Sequence, residues 1–270
     1  MRDNLGVLPL ICVDVDGTLV GPAGRPTQAV WAAAARAIAR GQHVALCTAR
    51  VAVGDAWDYA RHLDPAGWHV FHTGAAVIHT GGEPAIRLPM PASALAALER
   101  IACERGWVLE SYTDHEIAAD SDDPLAVEHA ALLGIPHRRR PRSALRGDVV
   151  RAQLVVREAS AAEAVALAPA GCTATAAGSP VMPGVAFVSF TDARASKAHG
   201  IAVIARRLGV PLDDVMMVGD GHNDVGAIEA VGHGTAMGNA HPEARAVARH
   251  HVAAVDQDGL AEALELSARL

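Results

Sequence analysis

The chain has 270 residues and a formal net charge of -7, with 51% hydrophobic residues but only 3% aromatic ones. At roughly 150 residues per domain, this length predicts about two domains with a core of Ala, Val, Leu and Ile. The charge leaves no electrostatic footprint for nucleic acid, and no run of ~18 uncharged apolar residues exists to engage a membrane.

The first ten residues include Arg2 and Asp3 and only a short apolar run, so no signal peptide is expected. Residues 7–15 are expected to form a buried strand. An Ala-rich helix at 28–40, ended by Gly41, and strands at 43–47 and 68–72 with a helix at 55–63 between them complete a first half. Gly81, Gly82 and Pro84 then punctuate the chain. A different texture follows: helices at 92–105, 124–133 and 160–167, and strands at 107–112, 149–156 and 185–190. The first rhythm returns with a helix at 196–208, strands at 215–218, 234–237 and 251–255, and helices at 223–231, from 242 and from 258. Such alternation predicts an α/β fold with a mostly parallel, doubly wound sheet. Residues 1–81 and 191–270 would form one split core, with an α+β domain inserted at 82–190.

Cys12, Cys47, Cys103 and Cys172 show no metal-site spacing. Cys12 and Cys47 fall in apolar runs, where a thiol acts as a small hydrophobe, and a reducing, cytoplasmic location is expected. The basic run His137, Arg138, Arg139, Arg140, Arg142 reads as a solvated loop.

Chemistry gathers at strand ends. Residues i and i+2 of a strand share a side, so Asp14 and Asp16 are expected together at the C-terminal mouth of the first strand, where open α/β sheets bind ligands. Gly17 permits the turn that follows. Thr48 ends the second strand. Asp220, Asn223 and Asp224 follow a later strand, and Lys197 opens the helix before it. Each has an ordinary alternative: an Asp-Gly turn, a structural threonine, a solvated lysine, and for His222 a bystander's place in the acidic loop. Together they describe a phosphate site. Four carboxylates would repel a phosphate dianion unless a hard divalent cation intervened, and oxygen ligands select Mg²⁺. Lys197 adds a positive point charge. Asp14 can then attack phosphorus, while Asp16 gives a proton to the leaving oxygen and later takes one from water. No P-loop, dinucleotide fingerprint or zinc spacing competes.

The motifs Asp14–Leu19 (D-V-D-G-T-L), Thr48–Arg50 (T-A-R), Ser196–Lys197 and Gly219–Asp224 (G-D-G-H-N-D) resemble those of the haloacid dehalogenase-like superfamily. Ala236–Glu243 resembles, within it, the Cof-type phosphatases with a type-two cap. Alanines at 49 and 198, and Thr73 before Gly74, depart from that subfamily's usual residues. The resemblance implies a Rossmann-like core, a nucleophile at Asp14 and an acid/base at Asp16. It implies Mg²⁺ held by Asp14, the Asp16 carbonyl and Asp220, with Asp224 in support, and phosphate bound by Thr48, Lys197 and Asn223. The expected partner is a small phosphorylated metabolite, most naturally a sugar phosphate, with the cap closing over the mouth. The same site could serve a phosphomutase, or a phosphoaspartate protein without turnover, although a receiver domain places its lysine last. His115, Arg138 and Ser189 are the residues singled out for cap specificity.

Overall fold

A computed structural model describes residues 6–178 and 181–270. Residues 1–5 of the stretch read as lacking a signal peptide lie outside the described residues, as do 179 and 180 of the insert. The chain forms two compact units. One holds residues through Arg50, Ala56–Ile86 and Ser196–Leu270; the other holds Val51–Asp55 and Arg87–Ala195.

In the first unit, strand β1 (Leu10–Val13) is followed by helix α1 (Gln28–Ala39), β2 (His43–Leu46), α2 (Gly54–Leu63, which begins in the other unit) and β3 (Trp68–Phe71). Thr27 caps α1, its hydroxyl accepting from Val30 N at 3.3 Å. The chain then makes β4 (Ala76–His79) and β5 (Pro84–Arg87), an antiparallel addition to β3 that the apolar pattern did not announce. Gly81 and Gly82, read as a breaker, turn this hairpin: Gly82 N donates to His79 O at 2.7 Å.

The second unit follows in the chain. It contains α3 (Ala92–Arg105), β6 (Val108–Tyr112), β7 (Ile117–Ala119), α4 (Pro124–Leu132), β8 (Arg151–Arg157), α5 (Ala161–Ala166), β9 (Cys172–Gly178) and β10 (Val185–Asp192). Its five strands lie in the order β7-β6-β8-β10-β9, each antiparallel to its neighbour. Leu98, Ala152, Leu154, Val188 and Phe190 build an apolar core on one face. The basic run is neutralised by acids of its own unit. Arg139 bonds Asp120 at 2.7 Å, Arg142 bonds Glu99 at 2.6 Å and Arg140 meets Glu116 at 3.3 Å.

The chain then completes the first unit with α6 (Lys197–Leu208), β11 (Val215–Gly219), α7 (Val225–Glu229), β12 (His233–Ala236), α8 (Pro242–Val247), β13 (His250–His251) and α9 (Gly259–Leu266). The helix expected over 223–231 is divided: a 3-10 turn, His222–Asp224, precedes α7. The strand expected at 251–255 is instead the two-residue β13, because the backbone leaves the ladder to form the turn Val255–Gln257.

The parallel sheet runs β13-β12-β11-β1-β2, so β1 sits between neighbours that come from opposite ends of the sequence. This is the expected α/β architecture. Alternation sends Leu10, Cys12, Val215 and Met217 into one apolar cluster with Ile201 and Ile204 of α6. On the other side α1 packs against β2 and α9. The alanines Ala33, Ala34 and Ala37 of α1 are buried, and small side chains let helix and sheet approach closely. Cys12 and Cys47 are buried free thiols. Among the described residues, no helix is long and apolar enough to cross a membrane.

Candidate active site

Parallel pairing in register brings the ends of β1 and β11 to one rim, Val13 opposite Val218. Asp14 continues this pairing by one bond, its N donating to Val218 O at 3.0 Å. The residues just beyond these strand ends, Asp14 and Asp220, are therefore neighbours in space although about 200 positions apart in the chain.

Lys197 enters from a third direction. Ser196 caps α6 by accepting from His199 N at 3.0 Å, which sets Lys197 as the helix's first residue. Gly74 underlies this junction: a Cβ there would lie 2.0 Å from Ser196 O, so only glycine lets the strand end pass beneath the cap. Lys197 is 1% exposed, and its Nζ donates to Asp14 Oδ1 and to Asp224 Oδ1, each at 2.6 Å. The other oxygen of Asp224 accepts from Asp220 N at 3.0 Å and Gly221 N at 2.9 Å, shaping the loop. Thr18 donates to Asp220 Oδ1 at 3.0 Å. Gly17 has φ +85°, and a Cβ there would lie 2.1 Å from Asp220 Oδ2, so this turn also requires glycine.

The electrostatics are unbalanced. Burial first, then the charge of Asp224, pushes the Asp14 carboxyl up to about 7 even though Lys197 pulls it down. Burial likewise lifts Asp220 to about 6. For Lys197 burial disfavours the ammonium, but Asp14 and Asp224 together outweigh it and hold the group above lysine's ordinary value. One buried cation thus faces three acids, and the shortfall is met by protons on the acids or by a further cation. Carboxylate oxygens of Asp14, Asp220 and Asp224 lie within 4.8 Å of one another. An all-oxygen, net-negative donor set fits a hard divalent cation.

Not every residue singled out in the sequence joins this group. The Asp16 carboxylate, expected beside that of Asp14, turns to Arg50 in a two-pronged ion pair, Nε to Oδ2 at 3.1 Å and Nη2 to Oδ1 at 2.5 Å. The strand ends at Val13, so the side-sharing rule does not carry through to Asp16. Thr48 is buried and its hydroxyl accepts from Arg50 N at 3.1 Å. Asn223 is exposed and takes no part in the bonds just described. Of the three residues singled out for specificity, His115 bonds Ala52 O at 3.2 Å, Ser189 donates to Gln153 at 3.0 Å and Arg138 is exposed; all belong to the second unit. Sequence reasoning gave no role to Asn239, whose Nδ2 donates to Gly17 O at 2.8 Å and Asp220 Oδ2 at 3.3 Å. Its only signal was its place in the Ala236–Glu243 motif.

The family model for haloacid dehalogenase-like hydrolases matches residues 11–264, nearly the whole chain. The chain belongs to the haloacid dehalogenase-like hydrolases. Among relatives of this hydrolase, the Bacillus subtilis protein named Putative phosphatase YkrA is 46% identical over 70 residues, which are 26% of this chain and 27% of YkrA. Putative phosphatase M6_Spy0533 of Streptococcus pyogenes is 24% identical over 263 residues, 95% of this chain and 97% of that one. A solved structure, the subclass IIB sugar phosphatase BT4131, superposes with a TM-score of 0.79 at 23% identity, covering 95% of this chain and 97% of its own. That last likeness is one of fold: the haloacid dehalogenase-like core with an additional antiparallel unit, as the Cof-type resemblance implied.

Proposed function

We propose that this haloacid dehalogenase-like phosphatase hydrolyses a small phosphate monoester, of the sugar phosphate kind, with Asp14 as nucleophile and Mg²⁺ as its cation. The observation that carries the reading is the buried Lys197 held between Asp14 and Asp224 at the rim of the parallel sheet. A nucleophilic carboxylate has to be ionised, and Lys197, helped by the Val15 backbone N–H, lowers the proton affinity of Asp14.

The proposed cycle has two displacements. An Asp14 oxygen attacks phosphorus and the bond to the leaving oxygen breaks, with Asp16 supplying the proton that oxygen needs. Water then attacks the aspartyl phosphate, Asp16 takes its proton, and phosphate and free Asp14 result. Asp16 must first leave Arg50. That pair is solvent-facing, with Asp16 66% exposed, so opening it costs little, about 0–1 kcal/mol. Thr48 keeps its hydroxyl proton free for a phosphate oxygen, since its oxygen is the acceptor for Arg50 N. Lys197 and Asn223 complete the phosphate contacts. Asp14, the Asp16 carbonyl and Asp220 would hold Mg²⁺, with Asp224 supporting the loop. The cation, when bound, supplies positive charge that keeps the carboxylates ionised and offsets the phosphate dianion.

The sugar phosphate class is supported by the fold shared with BT4131, itself a sugar phosphatase. The buried thiols Cys12 and Cys47 suit a reducing, cytoplasmic setting. The test is hydrolysis of an aryl phosphate by metal-stripped protein before and after Mg²⁺ is restored, with acid quench to trap phosphate on the chain. Mg²⁺-dependent turnover, and a trapped phosphoryl group absent from Asp14→Asn, are expected. Metal-independent turnover, or an Asp14→Asn variant as active as the parent, would overturn the mechanism. A panel of sugar phosphates and nucleotides decides the substrate class.

A further inference from the structure

Apart from the acidic cluster, the described residues contain one other trio able to hold a metal: His222, His241 and Glu243. All three are exposed, and their ligand atoms lie within 4.8 Å of one another. The two imidazole rings are 4.1 Å apart at their centroids and tilted by 44°, and His222 Nδ1 is 3.6 Å from Glu243 Oε2.

Two imidazoles and one carboxylate differ in kind from the oxygen-only cluster. Ring nitrogens favour borderline transition cations, and two histidines with one acid leave room for water around a tetrahedral ion. Ligand atoms around zinc lie about 2 Å from the metal, so the trio must draw together. The backbone beneath it is well fixed. His241 N donates to Asp220 O at 2.9 Å, and Arg245 N donates to His241 O at 3.0 Å. Gly221, just before His222, is held through its N–H by Asp224 at 2.9 Å. The side chains are exposed and already lean on one another while their backbone anchors are bonded, so contraction around an ion needs only rotations about side-chain bonds.

We propose that His222, His241 and Glu243 form a second metal site, selective for a borderline divalent cation such as Zn²⁺ and separate from the acidic cluster. The proposal rests on this trio's geometry alone and stands whether or not the hydrolytic mechanism does.

The test is calorimetric titration of Zn²⁺ into the full chain in excess Mg²⁺, which occupies oxygen-only sites. The expected result is a saturable Zn²⁺ site in the parent, weakened about tenfold or more in His241→Ala and in Glu243→Gln. Asp220→Asn and His233→Ala should leave it in place, with circular dichroism showing that all variants remain folded. No Zn²⁺ binding, equal binding in His241→Ala and parent, or loss of binding in Asp220→Asn would each overturn the site.

Discussion

Each unit buries a carboxylate network, and the two are built on opposite principles. In the second unit Glu110 of β6 accepts from Tyr112 Oη, from Gln153 Nε2 at 3.0 Å and from His129 Nδ1 at 2.8 Å. Ser189 in turn donates to Gln153 Oε1 at 3.0 Å. One acid meets several donors, and the network fastens three strands to α4. In the first unit it is the charges that are out of balance: Lys197 is the one cation bonded to Asp14 and Asp224, with Asp220 adjacent, although backbone N–H groups also reach Asp224. Satisfied buried networks rigidify a fold, whereas an excess of one charge is tolerated where something has yet to bind. The difference separates scaffold from site.

Altering the lone cation tests that contrast most severely. Lys197→Met should abolish measurable turnover of an aryl phosphate. It should also lower stability in chemical unfolding by about 3–5 kcal/mol at neutral pH, because two buried carboxylates lose their partner. Asp14→Asn should lower turnover by roughly 10⁴-fold or more while leaving the melting temperature equal or higher, since a crowded charge has been removed. Truncation in the second unit should behave in the opposite sense. Glu110→Ala should cost about 2–3 kcal/mol of stability, as buried donors are stranded, and should shift the unfolding midpoint rather than spare it.

pH sharpens the same contrast. The folded proton affinity of Asp14 is raised to about 7 from an ordinary 3.8, so the folded state holds a proton that the unfolded chain gives up. Stability from this group is full below about 3.8 and is lost as pH rises towards 7. In EDTA the melting temperature should therefore fall between pH 5 and 7.5. Added Mg²⁺, or Asp14→Asn, should flatten that fall. The smallest expected effect is at the helix cap: Ser196→Ala should cost about 1 kcal/mol in chemical unfolding.

The core strands were legible because they are short, uninterrupted apolar runs bounded by turn residues, as in Leu10–Val13 and Val215–Gly219. Strand β9 was not, because its Thr and Ala residues are largely exposed and carry no apolar alternation. Nor was β7, only three residues long. At the site, motif spacing marked Asp14, Asp220, Asp224 and Lys197, which meet. The Asp16–Arg50 pair and the bridge made by Asn239 depend on where loops turn after a strand ends, and residue periodicity is silent there. Gly74 was noticed only as a neighbour of the unusual Thr73; its closeness to Ser196 is a fact of three dimensions.

The interior position of β1, paired on both edges, has a consequence for how the molecule is made. One flank of β1 pairs with β2 soon after it in the chain, but the other waits for β11, some 200 residues later. On the ribosome that edge stays unpaired through most of synthesis, and closing so long a loop is slow relative to local contacts. The acids of the site are therefore brought together only after β11 and the loop through Asp224 have emerged, and a truncated product lacking them would hold Asp14 without the partners that make it reactive.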